Sequence, residues 1–455
     1  MARHSATSAS SNSMETERLL GLGAAEENHD DSSNRIPGSS RPDGQKQGQI
    51  TFKMAAAAWS FVVLGLFVST IGVTIPHLQE SYQLTDIHVS AIFLVGPIGY
   101  CLASSLSNHI HLRFGQRGIA ILGPACHVFY AIIGALRPPF PVFLLGAGIG
   151  SFGIGLLDGS WCAWVAGLKN ANTLSGILHG SFSLGAAICP YIAGRLFSTN
   201  NGLWHQWFYV LSITSALELL VLCLAFRHED SNKYKISEVD HSQQSFDDKV
   251  NQREVLRYSA TWIYAAYLLA DVGTESTVSG WVVAYMLRVR HTSTYASSIC
   301  SSGFWAGMAI GRLALGIVTD RLGARRAVVL YLLLAPVFVL LFTLVRILWV
   351  SVLTMSLIGF LMGPLFPSCI VQLVYFLPKE LHVGAVSFVA SVGQIGGAIL
   401  PYLLGVITQT MGLWVFPYML LAQFSAMLLF WILSLRLSRN DEGEDEEEDT
   451  HPRQD

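Results

Sequence analysis

Two stretches of this chain, about 208 residues apart, carry nearly the same pattern: Gly99–Arg117 (GYCLASSLSNHIHLRFGQR) and Gly307–Arg325 (GMAIGRLALGIVTDRLGAR). Each is an apolar, small-residue run ending in Arg-x-Gly-x-Arg, with Arg113, Gly115 and Arg117 in the first copy and Arg321, Gly323 and Arg325 in the second. A second echo follows at a similar offset. Gly185-AAIC-Pro190-Tyr191-IA-Gly194 returns as Gly396-GAIL-Pro401-Tyr402-LL-Gly405. A chain that repeats helix, basic turn and Pro-broken helix reads as an internally duplicated membrane protein, an arrangement tied in known folds to alternating access.

Composition agrees with a bilayer as solvent. Of the 455 residues 13% are charged, against about 25% in soluble domains, and the mean hydropathy is +0.46. Charge gathers at the two ends and in one central loop. The net charge of -3 gives no reason to expect a nucleic-acid partner. The seven cysteines all lie in apolar runs and read as packing residues. No Cys-x-x-Cys and no His-Glu-x-x-His occurs, so neither a metal nor another cofactor is expected. Nor is an enzyme, because no nucleophile–base constellation is visible.

A hydrocarbon core of about 30 Å takes roughly 20 apolar residues per helix. Twelve such runs are present: 54–76, 88–107, 117–136, 141–168, 172–197, 206–226, 258–287, 294–318, 325–345, 348–376, 384–408 and 414–435. The expected fold is therefore all-α, with twelve transmembrane helices in two six-helix halves, 54–226 and 258–435. A polar connector, 227–257, joins them. Residues 1–50 form a polar tail too poor in apolar side chains to fold, and 436–455 an acidic one. With the N-terminus inside, the inner loops hold Arg113, Arg117, Lys169, the basic connector residues, Arg321, Arg325, Arg326, Lys379, Arg436 and Arg439. The outer loops hold only Arg137, Arg288, Arg290 and Arg346. The positive-inside rule then puts both termini in the cytoplasm. Glu15-Thr-Glu-Arg-Leu19-Leu20 looks like an acidic dileucine sorting signal. The plasma membrane is the expected location, with the vacuolar membrane as the alternative. In the fourth span, Gly146, Gly148, Gly150, Gly153 and Gly155 predict close helix packing.

Gly316-IVT-Asp320-Arg321-L-Gly323-A-Arg325-Arg326 resembles the loop signature of the major facilitator superfamily. In that signature the glycine permits tight approach, the aspartate pairs at a helix end and the arginines sit on the cytoplasmic side. The first copy departs from it, with Asn108 for the glycine and Leu112 for the aspartate. Ile75-Pro76-His77-Leu78, Phe114-Gly115-Gln116-Arg117-Gly118, Asp158-GS-Trp161-CA-Trp164, Leu178-His179-Gly180 and Asp271-V-Gly273-T-Glu275 with Trp281 are similar to a fungal branch of that superfamily. That branch is distantly similar to fucose–proton symporters. Relatives tend to carry Asn-Asp in the first helix where this chain has Phe67 and Val68. The resemblance implies a transporter of a small molecule, functional as a monomer in the lipid bilayer, with protons as a further partner.

Acids inside spans are costly, about 2.5–3.5 kcal/mol at the centre, and face cavities or partners. Asp271 and Glu275 stand one turn apart on the seventh span, with Tyr267 one turn before them. Carboxylates this close resist double ionisation, which suits proton coupling. Asp158, Trp161 and Trp164 form one stripe on the fourth span, where indole faces beside a carboxylate suit a sugar-like ligand. Gln394 shares a face of the eleventh span with Ser387 and Ser391 and is placed in the cavity; Trp281 is a further binding candidate. His179 is a candidate for titration near neutral pH. His127 and Glu218 sit among apolar neighbours, Glu218 facing a partner helix. The midplane site is expected on spans one, four, seven, ten and eleven. The leading reading is a proton-linked carrier of a small polar solute. An exporter of an apolar metabolite and a non-transporting sensor on the same fold stand as alternatives.

Overall fold

The runs of apolar residues become helices because backbone groups in hydrocarbon can be satisfied only within the segment. In the computed structural model the described residues are 43–168, 170–199, 203–231, 254–378 and 381–437. They form α1 (Asp43–Tyr82), α2 (Asp86–Ala135), α3 (Phe140–Ala166), α4 (Ala171–Thr199), α5 (His205–Ala225), α6 (Ser259–Arg288), α7 (Thr294–Leu322), α8 (Ala324–Leu344), α9 (Leu348–Met362), α10 (Leu365–Phe376), α11 (His382–Met411) and α12 (Phe416–Leu435). The dileucine, Lys169, Lys379, Arg439, most of the connector and the acidic tail lie outside the described residues.

The twelve expected spans are present with three differences. The first helix begins at Asp43 rather than at residue 54; this stretch holds no proline that would stop the helix from running on. Spans two and three are the arms of α2, which bends at Gly115 (φ 69°, ψ −169°), a backbone conformation glycine tolerates. Span ten is broken between α9 and α10 at Gly363 and Pro364, where proline has no N–H to continue the helix. Ten helical segments among the described residues are long and apolar enough to cross a membrane. Counting both arms of α2, and α6 with its two carboxylates, twelve spans result. Thr85 and Ser293 cap α2 and α7 through their side chains.

From Gly48 onward the described chain is one compact unit. Its surface carries many large apolar side chains, among them Leu136, Ile213, Leu344 and Trp349, as a lipid-facing surface requires. Packing inside rests on close backbone approach. An added Cβ at Gly153 would lie 2.6 Å from the Gly123 carbonyl, and one at Gly150 2.6 Å from the Tyr130 ring. These are the fourth-span glycines expected to bring helices together, and they seat α3 on α2.

The repeat seen in the sequence is repeated in space. A Cβ at Gly185 would strike the Val62 carbonyl, and one at Gly396 the Leu269 carbonyl. In each half the proline-containing helix (α4, α11) thus beds on the first helix of that half (α1, α6) through the same glycine. Gly396→Ala is expected to destabilise the detergent-solubilised protein by about 1–3 kcal/mol through overpacking. Gly176→Ala, with nothing within 4 Å of the new Cβ, is expected to stabilise it by up to about 1 kcal/mol through helix propensity. Thermal unfolding of the two variants checks both signs.

Candidate functional site

Between the halves lies a cavity of about 170 Å³, room for about six waters at roughly 30 Å³ each. Its wall comes from α1, both arms of α2, α3, α6, α7 and α11. Spans two, three and eight take part although they were not expected to. Span ten, which was expected, supplies no lining side chain. Phe67, Ile92 and Phe93 make one apolar side, and Glu275, Ser279 and Gln394 a polar one. Glu275 is the sole carboxylate in the lining.

One end of this cavity is shut. Arg288 Nη1 donates to Asp86 Oδ1 at 2.8 Å, joining α6 to α2. The Asp86 amide donates to Gln409 on α11, and Gln79 donates to Asp86 from α1. Glycines tighten the same end: an added Cβ at Gly72 would meet the Ser279 carbonyl, and one at Gly405 the Ser90 hydroxyl. Toward the other end the helices are looser. Gln394 lines the cavity, and Ser391 and Ser387, one and two turns back on the same face of α11, are exposed. His179 is exposed as well. The cavity therefore opens toward the end that carries the Arg-x-Gly-x-Arg loops.

A polar chain crosses between the halves at this level. Tyr100, whose ring lines the cavity, donates its hydroxyl to Asp158 Oδ2 at 2.7 Å. Cys162 lies 3.7 Å from Asp158 and 3.9 Å from His179 Nε2. Arg312 on α7 reaches into the other half, where Nη1 donates to Ser183 Oγ at 2.6 Å and to the His179 carbonyl at 3.3 Å. Its Nη2 lies 3.9 Å from Glu275 Oε2. One guanidinium thus stands between the cavity carboxylate and the opposite half.

The expected site residues divide into two groups. Glu275 and Gln394 line the cavity, Asp158 reaches it through Tyr100, and His179 stands outside the lining with its carbonyl on Arg312. The tryptophans do not. Trp161 is fully buried and stacks on Phe226 at 4.4 Å, and Trp164 meets the same ring edge-on at 5.6 Å. Both lock α3 to the end of α5, because the helix turns their side of the stripe into the N-terminal half. Trp281 donates its indole N–H to the Pro401 carbonyl at 3.0 Å and braces α11 at its proline. Tyr267 packs on Trp431 of α12 at 5.2 Å. Asp271 is buried beyond the lining, and its Oδ1, like the Tyr267 hydroxyl, has no hydrogen-bond partner among the described residues. Trp305 is the indole that lines the cavity, its N–H directed to Ser279 Oγ at 3.2 Å. Sequence reading passed over Trp305, Tyr100 and Arg312. Arg312 had a visible signal, since it is the one basic residue inside span 294–318.

The loops behave differently in the two halves. Gly115 bends α2 against the segment that follows α5: an added Cβ there would lie 2.6 Å from the Glu229 carbonyl, and the Arg117 amide donates to that carbonyl at 2.9 Å. Lys53 pairs with the Glu229 carboxylate at 2.5 Å, and the Arg113 guanidinium lies over the Phe114 ring. In the second copy Gly323 (φ 80°) turns the chain from α7 to α8. Arg325 lies over Phe376, its Nε donates to Gln372, and its carbonyl accepts from Trp431. Gly316 has no atom within 4 Å of an added Cβ, so the tight approach expected of it is not made. Asp320 and Arg321 are exposed, and the expected pairing of Asp320 has no counterpart among the described residues. Here the cavity is open at the loop end, which leaves these groups without the opposite half to meet. Among the described residues no cluster of three or more His, Cys, Asp or Glu could hold a metal ion.

Comparison with known proteins agrees with this architecture. The chain is 30% identical over 412 residues to Bypass of stop codon protein 6 of Saccharomyces cerevisiae, covering 84% of this chain and 82% of that one. It is 23% identical over 358 residues to the glucose/mannose transporter GlcP of Bacillus subtilis, covering 76% and 85%. The fold superposes on the crystal structure of a D-xylose–proton symporter with a TM-score of 0.68 at 13% identity, covering 85% of this chain and 97% of that one. The profile described as Major Facilitator Superfamily matches residues 57–301 and 272–454. With twelve helices in two halves around a central cavity, the chain belongs to the major facilitator superfamily and is a multi-pass membrane transporter.

Proposed function

We propose that this transporter carries a small, hydroxyl-rich solute such as a sugar by alternating access, and that Glu275 couples the movement to a proton. The observation that carries this reading is the placement of Arg312 between Glu275 and the opposite half. In the present conformation Arg312 is held by Ser183 and sits at a long 3.9 Å from Glu275. A proton on Glu275 balances that arrangement, because the guanidinium is then not needed as its counter-charge. When the halves rock, α4 withdraws from α7 and Arg312 loses Ser183, so the counter-charge offered to Glu275, and with it the hold on a proton, differs between the two states. Proton occupancy and conformation are thereby linked, as any coupling between two equilibria requires. One proton crossing 100 mV supplies about 2.3 kcal/mol, about fiftyfold in solute ratio.

The solute class follows from the wall. Tyr100, Ser279, Gln394 and Glu275 offer hydroxyl, amide and carboxylate partners, and Trp305 offers an indole face. A cavity of about 170 Å³ is smaller than the roughly 300–1,000 Å³ of drug-sized sites, which favours a small solute. The sugar transporters among the similar proteins point the same way. The Lys/Arg bias of the loops orients the open end toward the cytoplasm, with the plasma membrane as the expected location. A second reading, export of a small apolar metabolite, is favoured by the side made of Phe67, Ile92 and Phe93.

Counterflow in proteoliposomes separates these readings, with hexoses, other polyols and nucleosides loaded in turn. A sugar is expected to exchange in both wild type and Glu275→Gln, while an imposed pH gradient drives net uptake only in the wild type. If no polar solute exchanges in either protein, the hydroxyl-rich solute is wrong and the apolar one takes its place. Arg312→Gln is expected to lower proton-driven accumulation by about 5–150-fold, the span of a 1–3 kcal/mol coupling, with counterflow retained. Trp305→Ala is expected to raise the half-saturating solute concentration about tenfold, equivalent to about 1.4 kcal/mol. Trp164→Ala is expected to leave it unchanged.

A further inference from the structure

A second charged cluster lies outside the polar chain just described. Glu218 on α5 and His127 on the second arm of α2 are both wholly buried, with His127 Nδ1 2.8 Å from Glu218 Oε2. Ser60 on α1 donates its hydroxyl to Glu218 Oε1 at 2.6 Å. Three helices of the N-terminal half therefore meet at one carboxylate. The remaining imidazole nitrogen, Nε2, is buried and has no hydrogen-bond partner among the described residues. Gly153 on α3 makes room for the ring: a Cβ there would come within 3.1 Å of His127 Cδ2.

We propose that the His127–Glu218 pair is a proton-exchange site of the N-terminal half, gated from the cavity by Phe67. Three observations support it. First, the pair is incomplete in either state. With one shared proton Nε2 is a bare acceptor; with two, Nε2–H is a bare donor, and in a membrane interior both lack a partner. A pair serving only to tie helices together is expected to have every polar atom met. Second, a single aromatic ring separates it from the cavity. Phe67 lies over the imidazole with ring centroids 4.8 Å apart, and Phe67 itself lines the cavity. Third, nothing else nearby competes for the proton. On α1 the contact is Ser60. On α2 the neighbouring ionisable side chains are Cys126 and Tyr130. The one carboxylate of α3, Asp158, is bonded to Tyr100, and no other ionisable residue of α5 shares the face of Glu218. When Phe67 swings aside, a hydronium ion in the cavity water gives one proton to Nε2. The net charge of the pair rises by one, and a water molecule is left behind.

This site does not depend on which solute is carried, so its test needs none. Full-length protein in liposomes is stepped between acidic and neutral pH, and infrared difference spectra are recorded. The wild type is expected to show imidazole and carboxyl bands that disappear in His127→Gln and in Glu218→Gln. The glutamine at 127 can still donate to Glu218, so that variant keeps the helices tied if Glu218→Gln does not fold. Phe67→Ala is expected to speed hydrogen–deuterium exchange of the same bands. If both pair variants, or His127→Gln as the only one that folds, leave the wild-type difference spectrum unchanged, the pair is locked in one state and the proposal fails. Absence of sugar counterflow would overturn the solute reading and leave this one standing.

Discussion

A charge in hydrocarbon must be met by another polar group, and this requirement organises the molecule. Asp86 is met by Arg288 and Gln409, and the three together shut one end of the cavity. Glu275 is met by Arg312, which also reaches Ser183 in the opposite half. Glu218 is met by His127 and Ser60. Each of the first two clusters joins the halves, and the third lies within one. Removing a partner from the wholly buried Glu218 cluster is the costliest, because the charge left behind cannot turn to water. The charges inside the bundle are therefore few, placed and mutually dependent.

Around these points the helices are held by backbone contact more than by large side chains. Lipid tails are as apolar as leucine, so burying apolar surface does little to drive helix association. Gly185 against Val62 and Gly396 against Leu269 are contacts that any side chain would block. The same contact occurs in both halves, between the proline-containing helix and the first helix of each. The surfaces between the halves are different: glycines and an ion pair at one end, an exposed polar face at the other. Rigid bundles joined by a reversible seam are the mechanical condition for rocking about a midplane cavity. The exposed Asp320 and Arg321 at the open end are groups the opposite half would meet after such a motion.

Much of this was legible in residue patterns. Run length and the repeated Arg-x-Gly-x-Arg and Pro-Tyr-x-x-Gly elements disclosed an all-helical, duplicated membrane fold. The fourth-span glycines disclosed close packing, and the rarity of mid-span carboxylates drew attention to Glu275. Trp161 and Trp164 stand off the cavity wall for a physical reason. A stripe on a helix has two flanks, and spacing says which residues share a face but not what that face meets. Here the tryptophan flank turned to Phe226 while Asp158 turned to Tyr100. Tyr267 and Asp271 share a face with Glu275 for only part of a turn, and the drift carries Tyr267 round to Trp431.

By itself the sequence determined what the bilayer and the backbone demand: twelve spans, two halves, basic turns at the two Arg-x-Gly-x-Arg repeats, and few buried charges. Those follow from local chemistry, since each segment must satisfy its own peptide groups. Only the tertiary structure decided which charges are partners. Arg312 finds Glu275 37 residues away on the next helix and Ser183 129 residues away in the other half. His127 finds Glu218 91 residues along the chain. Such pairings depend on how helices rotate and tilt against one another, a property of the packed bundle that periodicity within one helix does not contain.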